Sequence, residues 1–275
     1  ITELTRRNII DTIRIRQVEW SGRLTEVDFL SRIYDLTKLP SFDHRFKNAS
    51  ADIYQHRDLN PGDWTLNLDD FHAKLSERTR FLAVGMASNA TGTINPVREM
   101  ISAAHAVGAL TFVDAVHYAP HGRISVADLN CDFLACSAYK FFGPHEGILW
   151  GRRELLESLR PWKLRPAPDA LPGMWMTGTG ALEAIAGTAA AVNYLASLAD
   201  LLPQTSLALT RRQKLDLTFR AITEWERILS LEMLAGLKSV PGLQIHGITD
   251  PAQVAGRVPT FSWTFPDCSP RTVAE

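Results

Sequence analysis

The sequence predicts an α/β fold: a mainly parallel sheet sandwiched by helices, followed by part of a smaller C-terminal α+β domain. Three observations carry this expectation. Leu110–Val113, Phe133–Cys136 and Ile148–Trp150 are short apolar runs bounded by turn residues, too short for helices and suited to buried strands. Upstream, Thr79–Met86 reads as a further strand, and Val97, Ile101, Ala104 and Val107 space the apolar face of a helix that follows it. The order strand, helix, strand, short helix, strand is a βαβ pattern. Beyond Gly180 the text turns helical and ends in two late strands.

Taken in order, residues 1–59 form a divergent N-terminal segment. Ile9, Ile13, Ile15 and Val18 alternate in places with polar residues, and Phe29, Leu30, Ile33 and Leu36 have helical spacing up to Pro40. Residues 60–200 are the core of a major domain. It opens on the turn Asn60-Pro61-Gly62-Asp63, and a short helix is expected over Asp69–Leu75. Pro96 suits the first turn of the next helix, and Gly108 closes it. Glu154–Leu159 is a short helix, Lys163–Gly178 a proline-rich loop, and Gly180–Leu198 an Ala-rich helix. Residues 201–275 supply a long amphipathic run, Leu207–Leu237, and the strands Leu243–Ile248 and Pro259–Phe265 of a partial small domain. The chain starts at Ile1 rather than Met and stops in what reads as the opening of a helix, so a piece of a longer protein is expected.

Composition narrows the function. The 275 residues are 45% hydrophobic, enough for a large core. Net charge is −1 with the signs interspersed and no basic stripe, so no nucleic-acid partner is expected. Three cysteines without metal-ligand spacing point to a reducing cytoplasm and to no metal. No apolar run approaches the ~20 residues of a membrane span, and no signal peptide is evident.

Two of the predicted strands end in chemistry. One stops at Asp114, another at Ser137-Ala138-Tyr139-Lys140. Ligands of open α/β sheets collect outside the carboxyl ends of the strands. An acid and an amine delivered there suit pyridoxal 5'-phosphate, which joins a lysine through a Schiff base and takes an Asp partner on its ring nitrogen. Such a lysine needs a lowered pKa, and Tyr139, Phe141 and Phe142 are expected to bury Lys140. Asn89, Asp114 and Lys140 follow one another at nearly equal intervals, as successive βα units would place them on one edge. Each residue has a plainer reading. Lys140 is then a surface lysine, Asp114 a helix N-cap, Asn89 a turn residue and His117 an exposed or capping histidine. His121 and His145 read as structural or solvent-facing, Cys131 and Cys136 as packing residues, and Cys268 as part of a surface turn.

VDAVHYAPH followed by CSAYKFFGPHEGILWG resembles the class V aminotransferase and cysteine desulfurase family, in its desulfurase-like branch. The resemblance extends through TLNLDDFHAKLSERTRFLAVG, SNATGTINPV, LRPAPDALPGMWMTGTGALEAIAG and RVPTFSWTF, and spans roughly Asn60 to Glu275. It implies a PLP-dependent transferase of fold type I acting on a small amino acid, with the Schiff base on Lys140 and Asp114 on the ring nitrogen. By the same resemblance, Asn89 contacts the ring oxygen or substrate, His117 the phenolic oxygen, and Ser137 with Tyr139 the phosphate. Relatives often have His at the Tyr139 position. Thr179 would reach the cofactor phosphate of a partner subunit in a homodimer, although an N-cap role for the helix after it is equally open. A ring-stacking aromatic is expected upstream, where Asp43-His44 is the one candidate. A carboxylate-binding Arg and any catalytic Cys are expected beyond Glu275. Two other readings compete. Gly178-Thr179-Gly180 with Ala184 resembles the dinucleotide loop of an NAD(P)-dependent dehydrogenase, though Met174–Met176 is a poor strand to precede it. The chain also reads as a catalytically incomplete fragment or inactive homologue of the same fold.

Overall fold

A computed structural model describes residues 59–176, 178–203, 208–266 and 268–274. The elements expected before residue 59, and His44, lie outside the described residues. Helix α1 (Leu68–Lys74) begins where the Asn67 side chain accepts from the Asp70 amide at 3.0 Å. Strand β1 (Phe81–Gly85) follows, then α2 (Val97–Ala106), β2 (Leu110–Asp114), the one-turn helix α3 (Val126–Leu129), and β3 (Phe133–Ser137). A 3₁₀ turn over Ala138–Phe141 leads into β4 (Gly147–Gly151) and the short helix α4 (Arg153–Ser158).

The sheet order is β1-β2-β3-β4, with the first two pairs parallel and the last antiparallel. Chain length explains the switch in direction. A parallel return needs a crossover of about a dozen residues, and the tight turn before Gly147 offers fewer. Register sets Gly85 opposite Asp114 and Asp114 opposite Ala135. The carboxyl ends of the three parallel strands therefore share one edge.

Strand alternation divides the residues between two faces. Leu82, Val84, Val113 and Leu134 are buried with Val97, Met100, Ile101 and Ala104 of α2. Met100, Ile101 and Val113 are all but fully buried, at about 1.5–3 kcal/mol each. On the other face Phe81 and Leu149 stay 45% and 48% exposed, while Phe133 is buried where Gly151 lets it and Leu156 close in. A second core gathers Ala119, Ala138, Phe141, Ala191 and Leu195 with Leu215, Phe219 and Ile222. It packs α5 (Leu182–Ser197) and α6 (Arg211–Lys238) against the turn after β3.

The N-terminal edge of the sheet is tied by a buried carboxylate, Asp132. Its Oδ2 accepts from the Thr111 amide at 2.8 Å and the Thr111 hydroxyl at 2.9 Å, and meets His105 Nε2 at 2.8 Å. Arg152 Nε lies 3.0 Å from Oδ1. Burial alone pushes this carboxyl up, but the His105 and Thr111 hydrogen bonds together outweigh it and hold Asp132 below the ordinary carboxylate range. A depressed carboxylate stabilises above its unfolded value, and the benefit disappears as pH falls through the folded one. Asp132→Asn is therefore expected to destabilise the fold by roughly 1–3 kcal/mol near neutrality, since its partners Arg152 and His105 are part-exposed. The gap to wild type should narrow in acid. Urea unfolding at about pH 7 and at about pH 2, below the ordinary carboxylate range, measures both quantities, and an unchanged gap would contradict the account.

The C-terminal elements differ from expectation in instructive ways. Helix α6 starts at Arg211, not near Leu207, because Thr210 and Gln213 form a reciprocal capping box. The late strands shrink to β5 (Gln244–His246) and β6 (Ser262–Thr264), an antiparallel pair. Gly247 at φ +94° turns the chain away after β5, and residues before β6 bond instead to a loop of the main sheet. Helix α7 (Pro270–Ala274) comes last. The expectation about apolar runs needs correction. Leu182–Leu201, α5 with the 3₁₀ turn after it, is 20 residues long and apolar enough to cross a membrane by length and composition. Scattered polar residues, Glu183, Thr188, Asn193 and Asp200, hid it in the linear text.

Candidate cofactor site

Strand β2 delivers Asp114 to the carboxyl edge. Its Oδ1 accepts from the Val116 amide at 3.0 Å, an Asx-type turn rather than a helix cap. The chain then turns through Ala115–Pro120, with Ala119 N–H on the Ala115 carbonyl at 2.9 Å. His117 sits in this turn, half-buried, its Nε2 2.8 Å from Thr260 Oγ1. Its ring also meets that of His121 edge-on at 5.5 Å. His121 in turn pairs with Glu226 of α6 at 2.9 Å, a structural role as expected.

Strand β1 delivers Asn89. Beyond Gly85 the chain folds into a tight loop in which the Gly92 amide donates to the Ser88 carbonyl at 2.9 Å. Ser88 Oγ also takes the Ala90 and Thr91 amides, which leaves Asn89 exposed at the crest. Gly92, at φ +75°, has Val258 and Thr260 carbonyls so close that a Cβ would sit 2.5 and 2.6 Å from them.

Strand β3 delivers Ser137 and the lysine. Ala138 and Phe141 point into the second core and anchor the 3₁₀ turn from below. Phe142 holds the left-handed region at φ +68°, a conformation that costs a bulky residue about 1–3 kcal/mol. Gly143 donates to the Ala138 carbonyl at 2.9 Å and leaves no room for a Cβ beside Ala138. Lys140 is exposed on this turn, with Nζ 5.4 Å from the centre of the Tyr139 ring. The expected burial is not found. Phe141 is turned into the core, while Tyr139 and Phe142 are 46% and 72% exposed. The reason is periodicity: in a 3₁₀ turn anchored by Ala138 and Phe141, the residues between them face out. Tyr139 stacks on His145 at 5.0 Å, and that ring, with its near-parallel partner, forms a wall beside the lysine.

Thr179 lies exposed ahead of α5. The helix takes Ala181 as N-cap with no side-chain bond, so Thr179 does not cap it. Gly173–Trp175 is a 3₁₀ turn, not a strand, which removes the strand–loop–helix context that a dinucleotide loop requires. No cluster of metal-ligating side chains occurs among the described residues. All three cysteines are free. Burial pushes the Cys136 thiol up, and the Asp114 charge adds to that. Burial likewise raises Cys131, so neither is poised as a thiolate.

Asp114, Asn89, Ser137 and Lys140 thus all stand on the carboxyl edge of the sheet, as expected from the text. Sequence reading missed Arg257 and Thr260, which reach this edge from the other end of the chain. Arg257 is only 6% exposed, and it donates to the carbonyls of Ile248, Thr91 and Thr260. Its guanidinium lies 4.0 Å from the centre of the Phe261 ring. Desolvation lowers it to about 10, still protonated at neutral pH.

Comparison with known proteins assigns the family and the fold. Residues 55–275 match the family model Aminotransferase class-V. The chain belongs to that family. A second family model, AbiJ N-terminal domain 3, matches residues 1–84. The shared stretch includes α1 and β1, which are built into the aminotransferase sheet through Phe71, Leu82 and Val84. The cysteine desulfurase of Pectobacterium carotovorum is 33% identical over 198 residues, covering 67% of this chain and 44% of that protein. A probable cysteine desulfurase of Halalkalibacterium halodurans is 30% identical over 230 residues, 77% of this chain and 49% of its own. Among solved structures, apo cysteine desulfurase from Thermococcus onnurineus superposes with a TM-score of 0.60 at 26% identity, covering 78% of this chain and 51% of that one. Cysteine desulfurase CsdA of Escherichia coli shares the fold, with a TM-score of 0.59 at 24% identity over 77% of this chain and 49% of its own. The chain spans about half the length of the relatives it matches. Within this family, fold type I is the architecture that the four-stranded sheet and its helices represent.

Proposed function

We propose that this chain carries the pyridoxal-phosphate-binding part of a cysteine desulfurase-like enzyme that acts on a small amino acid. The observation that carries the reading is Asp114 and Lys140 at one edge of the parallel sheet, in a chain of the class V family. The donor set fits the cofactor: an accessible amine, an acid, a hydroxyl at Ser137, an amide at Asn89 and an imidazole at His117. When bound, pyridoxal phosphate supplies an electron sink for the bond broken at the substrate's α-carbon. Lys140 Nζ would hold the cofactor and, once the substrate's amine displaces it, would move the proton at that carbon as general acid and base. Asp114 keeps a proton on the ring nitrogen. Asn89 and His117 orient the ring, and Ser137 with the backbone of the turn meets the phosphate. In this reading, residues 60–200 form the major domain and residues 201–275 begin the small one. Free cysteines throughout favour a reducing, cytoplasmic setting.

The test is borohydride reduction of the protein saturated with pyridoxal phosphate, followed by peptide mapping. The pyridoxyl label is expected on Lys140. A label on Lys163 or Lys214 instead would defeat the assignment.

A homodimer belongs to the same proposal. The turn bearing Lys140 is flanked by Phe142 and Tyr194, whose rings meet edge-on at 5.5 Å and stand open to solvent. At the start of the same helix, Leu182, 74% exposed, and Ile185 are further exposed apolar side chains, close in sequence to Thr179. A second copy laid on it would cover the lysine and bring Thr179 near the partner's site. Light scattering is expected to report a dimer, and Phe142→Asp to shift it towards monomer. A fully active monomeric wild type would exclude the arrangement.

A further inference from the structure

The loop that carries Asn89 and the turn that carries His117 come from different strands, yet one distant segment touches both. The Ile94 amide donates to the Gly256 carbonyl at 2.8 Å, Thr93 bridges Arg257, and the Val258 amide donates to the Gly92 carbonyl at 2.8 Å. Ser262 Oγ bonds the Ala90 carbonyl next to Asn89. Gly92 has no side chain because Val258 and Thr260 occupy that space. On the other side, Thr260 Oγ1 holds His117 at 2.8 Å.

Arg257 ties this segment down. Among the described residues no carboxylate pairs with this buried guanidinium, which is costly, and its Nε finds no hydrogen-bond partner there. What the side chain does achieve is geometric. Its planar fork binds carbonyls from three separate places: Thr91 in the Asn89 loop, Ile248 after β5, and Thr260 in the segment itself. A lysine retains the charge but lacks the fork.

We propose that Gly256–Ser262 is a brace that holds the Asn89 loop and the His117 turn in register, with Arg257 and Thr260 as positioning residues; its meaning for the cofactor rests on the pyridoxal-phosphate reading above. The brace also joins these loops to the β5–β6 unit through the Ile248 carbonyl. A shift of that unit relative to the sheet would therefore be felt at Asn89 and His117 together.

Two variants of the full chain test this. In Arg257→Lys, amide hydrogen exchange at Gly92 and Ile94 is expected to quicken roughly tenfold or more, the effect of losing hydrogen bonds of ordinary strength. Exchange at Val113 and Leu134, in the centre of the sheet, should stay as in wild type. Thr260→Val removes the hydroxyl at nearly constant volume. In protein saturated with pyridoxal phosphate it is expected to shift the visible absorption maximum, and Thr260→Ser to restore it. Unchanged exchange in the loop, or an equal rise throughout the sheet, would overturn the brace. So would a Thr260→Val spectrum identical to wild type. If wild type takes up no cofactor on Lys140, the functional reading fails, and the exchange measurement still decides whether the brace exists.

Discussion

In the full-length enzyme loaded with cofactor, Asp114→Asn is expected to lower turnover by roughly 10²–10³-fold while leaving the fold intact, a loss of the size seen when one preorganised group that stabilises transition-state charge is removed. The structure separates the two effects. Asp114 Oδ1 accepts the Val116 amide at 3.0 Å, and an asparagine oxygen can accept the same bond. The turn that leads to His117 therefore survives. What disappears is the negative charge, and with it the means of keeping the ring nitrogen protonated. The charge has an independent reporter. Cys136 is raised by burial first and by Asp114 second, so the variant should make this thiol modestly more acidic. Thiol alkylation against pH, followed by mass spectrometry, reads that shift without any cofactor. Turnover equal to wild type at saturating cofactor would sink the role of Asp114, even if Cys136 responded as expected.

Lys140→Ala is expected to remove the visible band of the lysine-bound cofactor and to cost at least ~10²–10⁴-fold in turnover, the usual worth of a positioned acid–base group. Stability should change by no more than about 0.5 kcal/mol, since the side chain is exposed. Its neighbours explain why the turn persists: Ala138 and Phe141 hold it to the second core, and Gly143 closes it, all without Lys140. Thermal unfolding checks the fold. Added small primary amines should restore part of the activity, because they replace the missing proton carrier. An alanine variant with undiminished turnover would assign the chemistry to another residue.

Much of this was legible because the signals were local. The strand ends at Asp114 and Ser137 follow from apolar runs that stop abruptly at polar residues. The helix over Val97–Ala106 follows from spacing, with Met100 the one buried position that the pattern omitted. The start of α6 was hidden because its signal is a pair of residues, Thr210 and Gln213, at the edge of a longer amphipathic run. The burial expected for Lys140 failed for a related reason. Neighbours in sequence need not be neighbours in space: the 3₁₀ turn sends Phe141 one way and Lys140 the other.

The sequence by itself determined on which edge of the sheet Asn89, Asp114 and Lys140 stand. Short apolar strands that end at Asp114 or lead into the turns bearing Asn89 and Lys140 leave a parallel sheet little choice, because strand direction alone sends all three to the carboxyl side. Tertiary structure decided what holds them there. Arg257 reaches Thr91 across 166 positions of chain, and Thr260 reaches His117 across 143. No period or spacing encodes such contacts. They exist because a buried guanidinium must find acceptors wherever the fold brings carbonyls together, and the fold brings three of them from separate segments to one point.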